Sequence, residues 1–462
     1  MTTNKLSWQI KLGWAIGELG IAIYVGATMS FFLFYMTQAH GISPVWAGVA
    51  LLIPRLWDGF TDPIMGAVSD RTHSKMGRRR PYLLLGSLVY GGCFWLVLAV
   101  PTAESQFTTL LYLIGAYILA STAITIFDVP YSSMSAEMTQ NYQERTSLAG
   151  YKMVAARLGI VVAGGVGPML YASQETLLEG FRFMGLIFGA CMSVSGLITF
   201  FATRKAPRIE QPLEKVSLRE EFSAVLNNRP FRILFSVFAF QNIAIGSSAT
   251  MLVYFLTFAM GVDASFIGPL LLTAGITATL ATPLWVKLTR SMGKKRAYTS
   301  GLLISATMAI PALFLPPQYY MLLFAIYFLA ALGDAATQLL PTSMIPDTVE
   351  ADEVRTGQRR EGAIFGAFAF CRKLGMAFGA FFASGVLQLV GFIGGDLSTG
   401  SQTDTGLLGI RIGYTLLPFA LWLCAILILR RYDLSESRFN EIKQKIADER
   451  HAAGLHHQQA NL

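Results

Sequence analysis

The segment Arg55-Leu-Trp-Asp58-Gly-Phe-Thr-Asp62-Pro63 places one arginine and two aspartates inside an otherwise apolar run. Their spacing, i, i+3 and i+7, puts all three on one face of a helix. Two carboxylates four residues apart repel each other, and away from water a bound cation or a proton relieves them. Na⁺ prefers hard oxygen ligands of this kind, and protonation of one acid serves equally. A static ion-pair network with Arg55 is the competing reading, but one arginine cannot neutralise two acids. Thr125 stands one turn before Asp128 in a later apolar run, followed by Pro130. Thr125 could add a hydroxyl ligand to a cation at Asp58 and Asp62. Asp128 could complete that site or accept hydrogen bonds from substrate hydroxyls.

Other charges lie in apolar surroundings, where an ionisable group is costly and marks a functional site by default. Glu18 sits within Gly17-Glu18-Leu19-Gly20, Lys152 and Arg157 open one run, Asp334 lies in another, and Arg372-Lys373 interrupt a third. Lys152 is either a membrane-edge anchor or a cavity partner of Asp128. Lys373 is expected to act as a counter-charge to the acids of the first half across a central cavity. Gln241 and Asn242 either face substrate or bond between helices. Four of these five acids (Glu18, Asp58, Asp62 and Asp128, against Asp334) lie in the first half, so the coupling cation is expected there. The sequence holds no Walker loop, no HExxH, no nucleophile elbow and no CxxC. The chemistry expected is therefore transport driven by an ion gradient, with no enzyme activity and no cofactor.

The elements that must position these residues follow from composition. The 462 residues are 53% hydrophobic and 14% charged, against about 25% charged in soluble domains. Apolar runs recur along the chain at approximately 13–37, 45–69, 82–100, 108–132, 152–172, 181–202, 232–259, 264–286, 297–315, 319–341, 362–391 and 408–429. Twelve membrane-spanning helices are predicted, and a soluble enzyme, a disordered chain and an outer-membrane barrel are excluded. The four cysteines (Cys93, Cys191, Cys371, Cys424) read as small core residues. The short polar N-terminus and the long first run argue against a cleavable signal. Of the 36 Lys and Arg, 28 fall in loops and ends on one side of this topology, and the loops on the other side contain none. That asymmetry predicts both termini in the cytoplasm of a cell (inner) membrane protein. It also accounts for the net charge of +8 without a nucleic-acid partner. A polar tail at 432–462 is expected to form a short amphipathic helix, and its His451, His456 and His457 read as solvated.

The two halves repeat. Met76-Gly-Arg78-Arg-Arg80-Pro-Tyr82 follows the second run, and Met292-Gly-Lys294-Lys-Arg296-Ala-Tyr298 follows the eighth. Ser133-Met134 with Glu137 after the fourth run is echoed by Ser343-Met344 with Asp347 after the tenth. Repeated motifs on one side of the membrane imply parallel repeats about an axis along its normal.

These residues resemble the glycoside–pentoside–hexuronide:cation symporter family of the major facilitator superfamily, over nearly the whole chain. The strongest block is Arg55 to Gly66, which matches the pattern RxWDxxxDPxxG. Pro346-Asp347-Thr348-Val349, Thr356 to Gly362, Lys373, and Asp128-Val129-Pro130-Tyr131 follow. The resemblance implies cation-site carboxylates at Asp58 and Asp62 with Thr125 contributing, a sugar-binding acid at Asp128, and a cavity lysine at Lys373. Lys152 stands where the family usually has a sugar-site arginine. In two places the chain departs from the best-studied pattern. Ala22 stands at the position of a first-span aspartate, with Glu18 one turn away, and Ser132 replaces a tryptophan.

The resulting expectation is an all-α membrane protein of two pseudo-symmetric six-helix bundles in the major facilitator fold. Residues 1–203 form the first bundle, 204–231 a cytoplasmic linker, 232–431 the second bundle and 432–462 the tail. Function is expected to be Na⁺- or H⁺-coupled symport of a sugar or glycoside by a monomer. A lysolipid carrier of the same branch, or a non-transporting receptor, is the alternative. Glu18, Asp128, Tyr131, Lys152, Gln241 and Lys373 are the substrate-site candidates. Asp70, Arg71, Arg78, Glu137, Arg145, Asp347 and Arg359 are expected to latch the bundles on the cytoplasmic side in the outward-open state.

Overall fold

A computed structural model describes residues 6–101, 105–139, 141–207, 228–356, 361–395 and 402–434. Most of the linker, Arg359, and the tail from 435 with its three histidines lie outside the described residues. Twelve long helices run through the described chain: α1 (Trp8–Phe34), α2 (Pro44–Arg71), α3 (Arg80–Leu98), α4 (Gln106–Met138), α5 (Tyr142–Tyr171) and α6 (Leu177–Ala202) in the first half. The second half has α7 (Arg229–Tyr254), α8 (Ile267–Met292), α9 (Lys294–Ala309), α10 (Leu322–Thr356), α11 (Glu361–Leu389) and α12 (Asp404–Leu429). In an apolar medium every backbone group must be satisfied internally, and long helices achieve that. Their starts are fixed by side-chain caps. Ser7, Ser105, Thr176, Asn228 and Thr403 each accept a first-turn amide hydrogen bond.

Eleven of these helices, α9 together with the short helix that follows it to Phe314, are long and apolar enough to cross a membrane by length and composition. The exception is α2, which carries Arg55, Asp58, Asp62, Asp70 and Arg71 and two internal prolines, Pro54 and Pro63. Among the cysteines, Cys93 and Cys371 are buried, whereas Cys191 lies exposed on the outer surface of α6. The core reading of Cys191 is thereby corrected: a run apolar all round does not tell a lipid-facing position from a packed one.

Helix pairing repeats between halves. α1–α5, α1–α6, α3–α6, α3–α4 and α2–α4 pack in the first, and α7–α11, α7–α12, α9–α12, α9–α10 and α8–α10 in the second. The halves meet through α2–α11, α5–α8 and α1–α7, a set that maps onto itself when the halves are exchanged. The repeated basic motifs make equivalent bonds inside each half. Arg78 Nε donates to Glu137 at 2.7 Å, and Lys294 Nζ to Asp347 at 2.7 Å. Arg182 of α6 donates to the carbonyl of Val100 beyond α3, as Arg411 of α12 does to Leu313 and Leu315 beyond α9.

α1 and α7 also end alike. Each widens into a π-turn, Tyr35–Ala39 and Phe255–Ala259, and closes on a left-handed glycine, Gly41 (φ 61°) and Gly261 (φ 62°). Here, on the face away from both chain ends, the halves are sealed. Phe34, Tyr254, Phe258 and Phe392 pack ring on ring. Thr37 and Tyr254 share a hydrogen bond at 2.6 Å, and Gly395 N–H donates to the Thr37 carbonyl at 3.1 Å. Deeper in, α5 crosses α8 at Gly165 and Gly268, backbone against backbone, and Gly48 of α2 lies against Ser384 of α11.

At the opposite face, which carries both chain ends, the apolar core is divided. One cluster spans the first half and continues through the sealed face into the second, while Phe231, Leu234, Trp285, Tyr298, Met344, Phe368 and Leu429 belong to a core of the second half alone. The cleft between the halves therefore opens towards the terminal face.

A Cβ on Gly268 would stand 2.5 Å from the Gly165 Cα. Gly268→Val is expected to wedge α5 from α8 and populate conformers open at the sealed face. The measurement is maleimide labelling of a cysteine placed at Ser384, which should rise from near zero. Unchanged labelling in a folded Gly268→Val protein would show that this crossing does not set the closure.

Candidate functional site

Three polar clusters line or underlie the cleft. The first is sealed. Arg55 (5% exposed) donates to Asp58 Oδ2 at 3.2 Å and to Thr28 Oγ1 at 3.4 Å, and Asp58 (2% exposed) also accepts from Ser121. The guanidinium carbon lies 5.5 and 5.7 Å from the ring centroids of Tyr24 and Tyr117, within range of cation–π attraction. α1 supplies Thr28 and Tyr24, and α4 supplies Ser121 and Tyr117. Both Asp58 oxygens are thus engaged, and the pair is closed to the cleft.

The second cluster is open and joins the halves. One helical turn further along α2, Asp62 accepts from Thr125 Oγ1 of α4 at 2.8 Å and from Lys373 Nζ of α11 at 2.6 Å. The side chains of Asp62 and Lys373 remain 27% and 30% exposed. Asp58 and Asp128 are the other acids in electrostatic range of the lysine. One arginine indeed neutralises one acid, and the second acid takes its cation from the other half of the protein.

The third cluster lies where α1, α4 and α5 approach. Lys152 Nζ is 3.2 Å from Glu18 Oε2 and 3.2 Å from Ser132 Oγ, and Ser132 donates to Asp128 Oδ1 at 3.1 Å. The ammonium also stands 5.2 Å from the Tyr131 ring and 5.9 Å from the Trp14 ring. These two rings stack at 5.0 Å. Trp14 is 2% exposed and Tyr131 fully buried, so they form a floor under Lys152 and present no face to a ligand. Ser132, noted from sequence as a lost ring, is the hydroxyl that ties Lys152 to Asp128.

Gln241 stands apart. It is buried, donates to the Thr337 carbonyl at 3.1 Å and accepts from Tyr298 at 2.5 Å. Of its two readings, the structure places it in a bond between helices. Of the gate candidates, Asp70 pairs with Arg79, which also reaches Glu137 at 2.9 Å beside Arg78, and Arg145 donates to the Thr139 carbonyl at 3.0 Å. Asp347 pairs with Lys294. All of these bonds lie within one half, as the parted terminal face requires. Lys294 was not among the candidates, although its place in the repeated motif would have found it. Arg157 and Asp334 form a further pair between the halves at 3.7 Å. Among the described residues no group of three or more His, Cys, Asp or Glu gathers as a metal site would.

A cation entering this site from the cleft meets Asp62 and Thr125 oxygens already assembled, with an ammonium in place that it must displace. The side chains around Lys152 offer both donors and acceptors, which suits a hydroxylated ligand.

Over residues 13–436 the chain matches the family described as MFS/sugar transport protein. It is 28% identical over 454 residues to the uncharacterized symporter YnaJ of Bacillus subtilis, covering 96% of this chain and 95% of that one. It is 28% identical over 453 residues to the glucuronide carrier protein homolog of Escherichia coli, covering 96% of each. Among solved structures, a bacterial homolog of the human lysosomal transporter Spinster, in an inward-facing and unoccupied conformation, superposes with a TM-score of 0.62 at 17% identity, covering 96% of this chain and 99% of that one. The paired six-helix halves, the buried charges of α2 and a match spanning almost the full length place the chain in the MFS/sugar transport protein family, as a multi-pass membrane transporter and not an enzyme.

Proposed function

We propose that this protein is a cation-coupled symporter of a sugar or glycoside, in a bacterial-type inner membrane with both termini in the cytoplasm. The basic loops on the terminal face support that orientation, and with it the cleft described above opens to the cytoplasm. The bundles 1–203 and 232–431 act as the two moving bodies of a monomer. The observation that carries the reading is the bond from Lys373 to Asp62. Lys373 serves as a tethered surrogate cation. When Na⁺ or H⁺ takes Asp62, with Thr125 as co-ligand, the ammonium is released towards Asp128 and the substrate. Asp128, Ser132, Lys152 and Glu18 then hold substrate hydroxyls. Cation and substrate binding are thereby linked, each favouring the other by the same factor. Asp58 supports the site from behind by holding Arg55, and its oxygens become available to the cation only if that pair opens. Asp70, Arg71, Arg78, Glu137, Arg145, Asp347 and Arg359 re-pair across the cytoplasmic side when the cleft closes there.

The test is uptake by proteoliposomes against a panel of glycosides, with Na⁺, Li⁺ and acid pH compared. Wild-type protein is expected to concentrate at least one glycoside when a cation gradient is imposed. Asp62→Asn should abolish cation-driven accumulation while the protein still folds and inserts. Accumulation against a gradient by folded Asp62→Asn would overturn the coupling assignment.

Asp58→Asn should behave differently. It leaves Arg55 buried beside two rings with no counter-charge, a loss of about 3–5 kcal/mol when one partner of a buried pair is removed. Thermal unfolding in detergent is expected to show a clearly lower Tm for Asp58→Asn and a near wild-type Tm for Asp62→Asn. Equal Tm values would mean that Arg55 does not depend on Asp58.

A further inference from the structure

A second cavity, of about 280 Å³, lies between the halves away from the Lys152 cluster. Its walls are mostly apolar and come from α5, α7, α8, α9, α10 and α12, including Ile160, Leu271, Tyr327 and Trp422. Arg157 of α5 and Asp334 of α10 also line it. Their nearest N and O atoms are 3.7 Å apart, close enough to attract and too far to hydrogen-bond. The other ion pairs described above all close to 3.2 Å or less.

The slack leaves bonding capacity unspent. Asp334 Oδ1 accepts only a 3.3 Å bond from Gln338, and among the described residues Arg157 makes no hydrogen bond. Both side chains are about one-third exposed, at 37% and 35%. Tyr327 has its hydroxyl engaged with Tyr414 at 2.6 Å, so it offers the cavity a ring. Trp422 offers another, and it is only partly buried. The rings near Lys152, by contrast, are covered. A guanidinium, a carboxylate and an accessible indole around a small cavity suit a polyol ring. One hydroxyl accepts from Arg157 while its neighbour donates to Asp334, and the C–H face lies on Trp422.

We propose that this cavity is a substrate subsite, in which Arg157 and Asp334 bind a pair of vicinal hydroxyls and Trp422 receives the apolar face of the ring. The proposal rests on the sugar-symport reading above. It adds a second half-to-half connection of opposite polarity. Asp62–Lys373 pairs an acid of the first half with a base of the second, and Arg157–Asp334 pairs a base of the first with an acid of the second. The cation opens one connection and the substrate re-bridges the other, so both ligands act on the relative position of the halves.

The experiment measures binding to the purified full chain by titration calorimetry, with 4-nitrophenyl β-glucoside, β-galactoside, β-xyloside and β-glucuronide as probes and with Na⁺ titrated separately. Asp334→Asn is expected to weaken the best-bound probe about tenfold, the scale of a lost charged hydrogen bond, while Na⁺ affinity stays at the wild-type level. Arg157→Gln should do the same. Trp422→Ala should weaken the probe, and Trp422→Phe should restore most of the loss, which separates stacking from folding. Wild-type probe affinity in Asp334→Asn and Arg157→Gln, with Asp62→Asn still losing its cation response, would overturn the subsite and leave the symport reading standing. An equal loss of probe and Na⁺ affinity in Asp334→Asn would assign the pair to structure and overturn the subsite as well. No binding of any probe by wild-type protein, together with no cation-driven uptake, would remove both.

Discussion

One face of α2 is too charged to meet lipid, and the rest of the architecture answers that constraint. A carboxylate or guanidinium deep in an apolar medium must find its counter-charge within the protein. Arg55 and Asp58 satisfy each other within one turn, and α1 and α4 close over them with Thr28, Ser121 and two tyrosine rings. Asp62, one turn on, has no such partner on its own helix. Its cation comes from α11, across the boundary between the halves. The contact of α2 with α11 therefore has an electrostatic reason as well as a packing one. A single carboxylate of α2 thus carries an ion pair that joins the two halves.

The internal repeat shows which parts of the fold are scaffold. Arg78–Glu137 and Lys294–Asp347 do one job twice, and so do Arg182 and Arg411 when they bond carbonyls in the segments after α3 and α9. The two π-ended helices close on matching glycines. The site breaks this symmetry. α8, the counterpart of α2, has no acid among its residues, and the acids near the cleft gather in the first half. Geometry is duplicated between the halves, and the charge near the cleft is not.

Much of this was legible in the sequence. The apolar runs gave twelve helices in the right places, but hydropathy marks only the membrane core. It stopped α4 at 132, α5 at 152 and α10 at 341, while the helices run to Met138, from Tyr142 and to Thr356. Their polar ends are held by motif residues that hydropathy does not weigh. The spacing of Arg55, Asp58 and Asp62 fixed a shared helix face. It could not show that the two acids part company, because that depends on which α4 hydroxyl and which distant cation meets each one. Gln241 was ambiguous for a similar reason: a polar side chain in an apolar run looks the same whether it faces a cavity or the Thr337 carbonyl. The repeat of Thr37 and Gly41 in Thr257 and Gly261 was present in the sequence and went unread, since each motif is short and mostly apolar.

The ring seal of Phe34, Tyr254, Phe258 and Phe392 has an electrical consequence. In the proposed orientation, a cleft open to the terminal-side solution carries its potential inward to Asp62, and the membrane voltage then falls mainly across this thin apolar layer. On the proposed reading, an ion at Asp62 is then almost at the potential of the terminal side. When the layer opens and the opposite end closes, the same ion stands at the potential of the other solution without having travelled far. The field, worth about 2.3 kcal/mol per elementary charge at 100 mV, thus acts on the change of closure itself. On that reading, a few aromatic side chains set on which side of the voltage a cation at Asp62 sits.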